Sequence, residues 1–346
     1  MKCLTPLTIC GAPTSGKSVI AALLDGTPAI NCTVPLIFHD NLTAIFPLLQ
    51  PYLDDASSRV SQKFGDDKLL FFIRKLLIDH SAYYISLPPV FDSKRMNYFF
   101  SASQVITRNV PAKIPFFALD QLILSRIQNL NYVSSQNIFT AITETILENI
   151  QSQHYLDSKY YLSIMNNEFN NYEQILSSYV NSKIIYIDRE LYEAVGSSFL
   201  RESKTLDTHF LETLRRMNCK EVRSWIRKIH NSRCTLHNLQ ASSPDKVCVI
   251  DFVELMSSPR FVMQRLTNFL GIPFDESYLQ PSFMGVSMEI DDYFTIQDNM
   301  QCLLSSTEAS ALQRLIDSAL TDEPEKSYSP FARISAIWRG RGAKRH

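Results

Sequence analysis

The chain has 346 residues, 45% of them apolar and 11% aromatic, which is enough to bury a large core and excludes a mainly disordered chain. Its formal net charge of −1 removes any whole-protein case for binding nucleic acid or a membrane surface and leaves only local basic patches to judge. Seven cysteines, scattered singly and without C-x-x-C or His/Cys ligand spacing, suit reduced thiols in a cytoplasm and predict no metal site.

In chain order, "LTIC" (7–10) reads as a short buried strand that runs into a glycine loop. Pro6 breaks the apolar stretch too early for a signal peptide, and no apolar run approaches the roughly 18–20 residues of a membrane helix, so the expectation is a soluble, cytoplasmic protein. "SVIAALLDG" then opens a helix with Val19, Ile20, Leu23 and Leu24 on one face, stopped by Gly26 and Pro28. "VPLIFHD" (34–40) reads as a second strand or its approach. From about 43 to 180 the pattern is mainly helical and aromatic-rich, which predicts a helical insertion able to wall a pocket. "KIIYID" (183–188) and "KVCVIDF" (246–252) are the clearest strands. Strand, loop and helix in this order predict an α/β fold: a parallel sheet with helices on both faces, of the P-loop NTPase-like kind. One domain over 1–330 is expected, and "WRGRGAKRH" closes a basic, flexible tail at 331–346.

"GAPTSGKS" (11–18) has the spacing of a phosphate-binding loop: Gly11, four residues, then Gly16, Lys17 and Ser18. It follows an expected strand and opens an expected helix, the context in which such a loop binds anions through backbone N–H groups and the helix N-terminus. A glycine turn that merely joins strand to helix is the plainer alternative. The loop alone does not say which phosphate it holds; ATP or GTP is the ordinary answer.

Three stretches give a more specific answer. "ICGAPTSGKSVIAALLDGTPAI" (9–30) resembles the opening of sulfotransferases that use 3′-phosphoadenosine 5′-phosphosulfate (PAPS), with Gly11, Pro13, Ser15, Gly16, Ser18, Leu23, Leu24 and Pro28 in register. "KIIYIDRELYEAVGSSFL" (183–200) is similar to that family's strand, Arg, helix and Ser unit, which implies that Arg189 and Ser197 bind the 3′-phosphate. Chemistry agrees, since a planar guanidinium at a strand end suits a phosphate, although Arg189 could simply pair with Glu193 at i,i+4. "VCVIDFVELMSSPRFVMQRLTNFLGIPFDESYLQPSFMG" (247–285) resembles the family's third segment, with Phe252-Val253-Glu254-Leu255 in place of Tyr-Glu-Asp-Leu. Its expected role is architectural: Ser258 as cap, Pro259 at the first helical position, a stripe of Val262, Leu266, Phe269 and Leu270, and Gly271 as the stop.

The resemblance implies a sulfotransferase that moves a sulfuryl group from PAPS, as co-substrate and without a metal, to a hydroxyl or amine of a small metabolite or glycan. It implies that Gly11, Pro13, Thr14, Ser15, Gly16, Lys17 and Ser18 hold the phosphosulfate end. The family's usual basic residue before Ser-Gly is replaced by Thr14, so Lys17 takes the leaving-group role by geometry. The family's Lys-containing segment is also lost, since "SIMNNEFNN" (163–171) has no Lys. His39 is the expected general base, with Asp40 and Glu168 as alternatives. The basic run that includes Arg215, Arg216, Lys220, Arg223, Arg227 and Lys228 reads as a solvated helix face or a steering patch. Two other functions stay open. A nucleotide-dependent kinase or NTPase would use Asp251 to hold Mg²⁺, and a non-catalytic relative would bind nucleotide without turnover.

Overall fold

The computed structural model describes residues 5–25, 27–31, 85–86, 114–130, 135–149, 158–166, 172–179, 181–217, 219–283, 286–287 and 303–321. His39, Asp40, Glu168, the 34–40 run and the 331–346 tail lie outside the described residues.

Seven residues of β1 (Thr5–Gly11) form the middle of a parallel sheet, buried from Pro6 onward. α1 (Lys17–Asp25) follows the loop, and β2 (Ile30–Asn31) forms an edge. β3 (Ile85–Ser86) and β4 (Ile114–Pro115) pair with each other in parallel, away from the main sheet. After them come α2 (Phe116–Gln128), α3 (Ser135–Asn149), β5 (Tyr160–Asn166) and α4 (Tyr172–Ser178). The expected helical character of this span holds for α2, α3 and α4 and is interrupted by β5, which pairs with β1 from Thr5↔Tyr160 to Gly11↔Asn166.

β6 (Lys183–Asp188) lies on the other side of β1 and coincides with the expected strand, because its four consecutive Ile and Tyr residues are buried on both faces. α5 (Leu191–Leu206), α6 (Phe210–Met217) and α7 (Lys220–Ser242) lead to β7 (Val247–Asp251), the far edge. The strand order is β2-β5-β1-β6-β7. α8 (Phe252–Ser257), α9 (Pro259–Leu270), a short 3₁₀ turn at Glu276–Leu279, the β8–β9 hairpin (Ser282–Phe283 and Val286–Ser287) and α10 (Ser306–Thr321) complete the described chain.

Side chains alternate across each strand, so the two faces of the sheet build separate cores. Leu7, Ile9, Leu162, Ile185, Ile187 and Ile250 pack on one face against α1, α8 and α9. On the other side α5, α6, α7 and α10 join around Val195, Phe199, Ile226, Leu312 and the loop residue Ala12. Helices therefore cover both faces, as the strand–helix order implied.

α9 shows how local chemistry fixes an element. Pro259 sits in its first turn, and Val262, Leu266 and Leu270 are buried with Phe269 packed beside them. Gly271 ends it at φ 64, and Ile272 N–H reaches back to the Thr267 carbonyl. Ser258 occupies the N-cap position, but its side chain makes no capping hydrogen bond. The last carbonyls are covered from the sheet: Tyr160 Oη donates to Leu270 O at 2.8 Å and Lys183 Nζ to Phe269 O at 2.7 Å.

Candidate functional site

The carboxyl ends of β1, β6 and β7 reach the same level, because Gly11 pairs with Ile187 and Asp188 with Asp251. In such a sheet this edge is where a ligand sits. The loop Ala12–Gly16 turns there, with Thr14 at φ 63 and Gly16 at φ 88. Ser15 N–H donates to Ala12 O, and Gly16 O accepts from Val19 and Ile20 N–H to start α1.

Two glycines are demanded by contact. A Cβ at Gly11 would collide with the Ser15 side chain and approach Ile187 O to 3.0 Å. One at Gly16 would stand 2.8 Å from the Phe252 ring in a backbone conformation that L residues avoid. The Ser15 hydroxyl is fully buried and has no hydrogen-bond partner. An orphaned hydroxyl of this kind carries a desolvation cost of about 1–3 kcal/mol, which an incoming polar ligand atom would offset.

Lys17 is buried, and its Nζ donates to Gly11 O at 2.8 Å and Ala12 O at 2.6 Å. The ammonium therefore braces the loop from within. Burial pushes the neighbouring Cys10 thiol far up from its ordinary value, and the Lys17 charge pulls it back only in part. Thr14, which stands where the sulfotransferase pattern has a base, turns its Oγ1 onto Pro13 O and Ala194 O. That second bond fastens the loop to the first turn of α5.

Arg189 follows β6 directly. Its Nη1 donates to Thr14 O at 2.6 Å, its guanidinium lies 4.5 Å from the Phe252 ring centroid, and its Nη2 is 3.7 Å from Glu193 Oε2. Burial draws its pKa down from the usual guanidinium value, and Glu193 opposes the shift. The i,i+4 pair and the loop contact thus coexist on one guanidinium. Ser197 is half-buried on α5, one turn after Ala194 and on the same side of the helix. The structure therefore brings Gly11–Lys17 and Arg189 together at one edge, with Ser197 on the helix that the loop touches.

Two parts of this edge were not read from the sequence. Phe252, assigned to an architectural segment, links Gly16 to Arg189 because it leaves the carboxyl end of β7 beside the loop. In the sequence it read as the last residue of the expected strand 246–252 and as the counterpart of a Tyr in the resembled segment; the strand ends at Asp251 and Phe252 opens α8. Asp188 is buried and accepts from Arg233 Nε at 2.7 Å and Nη2 at 3.0 Å, with His237 Nε2 at 2.9 Å. Arg233 and His237 are four apart on α7, a spacing that was available but was not joined to Asp188.

Asp251 accepts from Glu254 N–H at 2.8 Å and so caps α8. Among the described residues no group of three or more His, Cys, Asp or Glu is arranged to hold a metal ion, and no helix is long and apolar enough to cross a membrane. In the basic run, Arg215 and Arg216 are exposed at the end of α6, where Arg216 pairs with Glu212.

The sulfotransferase family's model matches residues 113–276, a little under half of the chain. No curated protein sequence matches. Among solved structures the chain is similar to the sulfotransferase domain of the Synechococcus PCC 7002 olefin synthase, at 14% identity over 97% of this chain and 96% of that one, with a TM-score of 0.44. It is also similar to the sulfotransferase domain of the curacin biosynthetic pathway, at 16% identity over 98% and 99%, TM-score 0.42. Retinol dehydratase in complex with androsterone and inactive cofactor PAP is similar at 9% identity over 93% and 82%, TM-score 0.38. The likeness to the sulfotransferase family thus lies in the segment 113–276, which runs from β4 to the 3₁₀ turn.

Proposed function

We propose that the protein transfers a sulfuryl group from PAPS to a hydroxyl or amine of a small metabolite or glycan. The observation that carries this reading is the joining of the glycine loop to Arg189 through Thr14 O and Phe252. A triphosphate loop needs no such guanidinium from the next strand, whereas a nucleotide with separate 5′ and 3′ phosphates does.

The residues fit that nucleotide. The glycines at 11 and 16 let the loop pack closely on Ser15 and Phe252, the buried Ser15 hydroxyl lacks a partner, and the N-terminus of α1 favours negative charge. PAPS, when bound, supplies the sulfuryl group and a phosphate oxygen as leaving atom. Lys17 keeps a buried positive charge inside the loop, which neutralises an anion seated there, and Arg189 with Ser197 receives the 3′-phosphate. Removing a preorganised cation of this kind lowers turnover by on the order of 10²–10³. His39, Asp40 and Glu168 stay the candidates for taking the acceptor's proton. Cys10, Cys219, Cys234 and Cys248 are unpaired thiols, which favours a reducing compartment such as the cytoplasm.

The kinase or NTPase reading requires Asp251 for Mg²⁺, and that carboxylate already caps α8. The test is release of adenosine 3′,5′-bisphosphate from PAPS in the presence of pooled hydroxyl and amine acceptors. Acceptor-dependent release that is lost in Lys17→Ala supports the proposal. ATP hydrolysis in its place, dependent on Mg²⁺, contradicts it.

A further inference from the structure

Among the described residues Arg189 meets Thr14, Phe252 and Glu193, of which Glu193 is an anion. Thr14 O at 2.6 Å and the Phe252 ring at 4.5 Å are neutral, so they orient the guanidinium without neutralising it. Glu193 Oε2, at 3.7 Å from Nη2, is different. Its side chain is 20% exposed and that of Arg189 12%, so the two charges face each other with limited screening by water. The separation is also too long for the short, bidentate fork of a strong Arg–carboxylate bond. A carboxylate held beside a guanidinium is a counter-anion with which a ligand's phosphate must compete.

Backbone geometry keeps Glu193 in that place. Its own N–H donates to the Glu190 side chain at the start of α5, and the first turn of the helix fixes its distance from Arg189. A ligand phosphate arriving at Arg189 therefore meets a like charge that cannot leave far.

We propose that Glu193 is a specificity-determining residue that acts as a resident counter-anion of Arg189, so that a ligand's second phosphate binds only by displacing or outcompeting its carboxylate. The inference rests on the sulfotransferase reading above. Its consequence is a deliberate weakening: Glu193 holds down affinity for the bisphosphate product, which a turning-over enzyme must release. Discrimination between nucleotides with and without a 3′-phosphate is then smaller than Arg189 alone would give.

The test uses the full chain and titrates adenosine 3′,5′-bisphosphate and ADP into the wild type, Glu193→Gln, Glu193→Ala, Arg189→Ala and the Arg189→Ala/Glu193→Gln double variant, each checked for an unchanged thermal unfolding midpoint. The expected result is bisphosphate binding tighter by about three- to tenfold in both Glu193 variants, the range a partly screened ion pair allows, with ADP unchanged. The gain should vanish in the double variant, because there is no guanidinium left to release. Unchanged or weaker bisphosphate binding in folded Glu193→Gln overturns the inference and makes Glu193 an aid to positioning. A wild type with no preference for the bisphosphate over ADP overturns the underlying reading, and the inference falls with it.

Discussion

Gly16 and Arg189 show why single residues at this edge resist substitution for different reasons. Gly16 is fixed by shape. At φ 88 with the Phe252 ring in the path of any Cβ, Gly16→Ala should cost about 2–3 kcal/mol, combining left-handed strain with displacement of the ring. Urea unfolding measures this; a loss of about 1–2 kcal/mol would mean that the ring yields and only the backbone strain remains, and one under about 0.5 kcal/mol would contradict both terms. Arg189 is fixed by charge and by geometry. Arg189→Ala should weaken binding of adenosine 3′,5′-bisphosphate by on the order of tenfold to a hundredfold while leaving ADP nearly untouched. Arg189→Lys should recover little, since an ammonium cannot reach Thr14 O and lie flat over Phe252 at once. Equal losses for both nucleotides would refute the assignment. The loop at Gly11 and Gly16 was legible because its signal is a local spacing, whereas Arg189 stood out only through the resemblance, since its local signal fits a pair with Glu193 equally well. Phe252 was not legible, because nothing near it in the chain announces that its ring will lie under a loop far away in sequence.

At the scale of elements, the buried strands carry predictions of their own. The β6 end is anchored by Asp188 on Arg233 and His237 of α7. Asp188 is buried while both partners are about a third exposed or more, so losing the carboxylate leaves partners that water can still solvate. Asp188→Asn should therefore cost about 1–2 kcal/mol rather than the larger penalty of a fully buried ion pair. Thiol chemistry reads the same packing. Burial raises Cys248 on β7 to about 11 and raises Cys10 on β1 further, whereas Cys234 on α7 is exposed. A raised pKa keeps a thiol protonated and unreactive below it, so among the described cysteines iodoacetamide at pH 8 should alkylate Cys234 first and spare Cys10 and Cys248 until the sheet unfolds. Rapid labelling of Cys10 in the native protein would contradict the central position of β1. β6 was legible as a run of buried Ile and Tyr. β5 was not, because Ser163 and Asn166 interrupt its apolar run and helical patterns surround it, although a parallel strand beside β1 needs no alternation to be buried.

For the molecule as a whole, the sheet order places the glycine loop at the centre, between the strands that end in Asn166 and in Asp188. The loop is thus held from three sides: by β6 through Arg189, by α5 through the Thr14 hydroxyl, and by β7 through Phe252. This arrangement distinguishes the account from one in which the loop binds a triphosphate on its own. On the proposed reading, affinity depends on two separated phosphates and not on a metal ion. The most direct measurement is calorimetric titration of the full chain with adenosine 3′,5′-bisphosphate, ADP and ATP, each with and without Mg²⁺. The bisphosphate is expected to bind most tightly, by at least about tenfold over ADP, with no difference made by Mg²⁺. Preference for ATP that appears only with Mg²⁺ would contradict this reading and would make Lys17 a triphosphate-binding lysine.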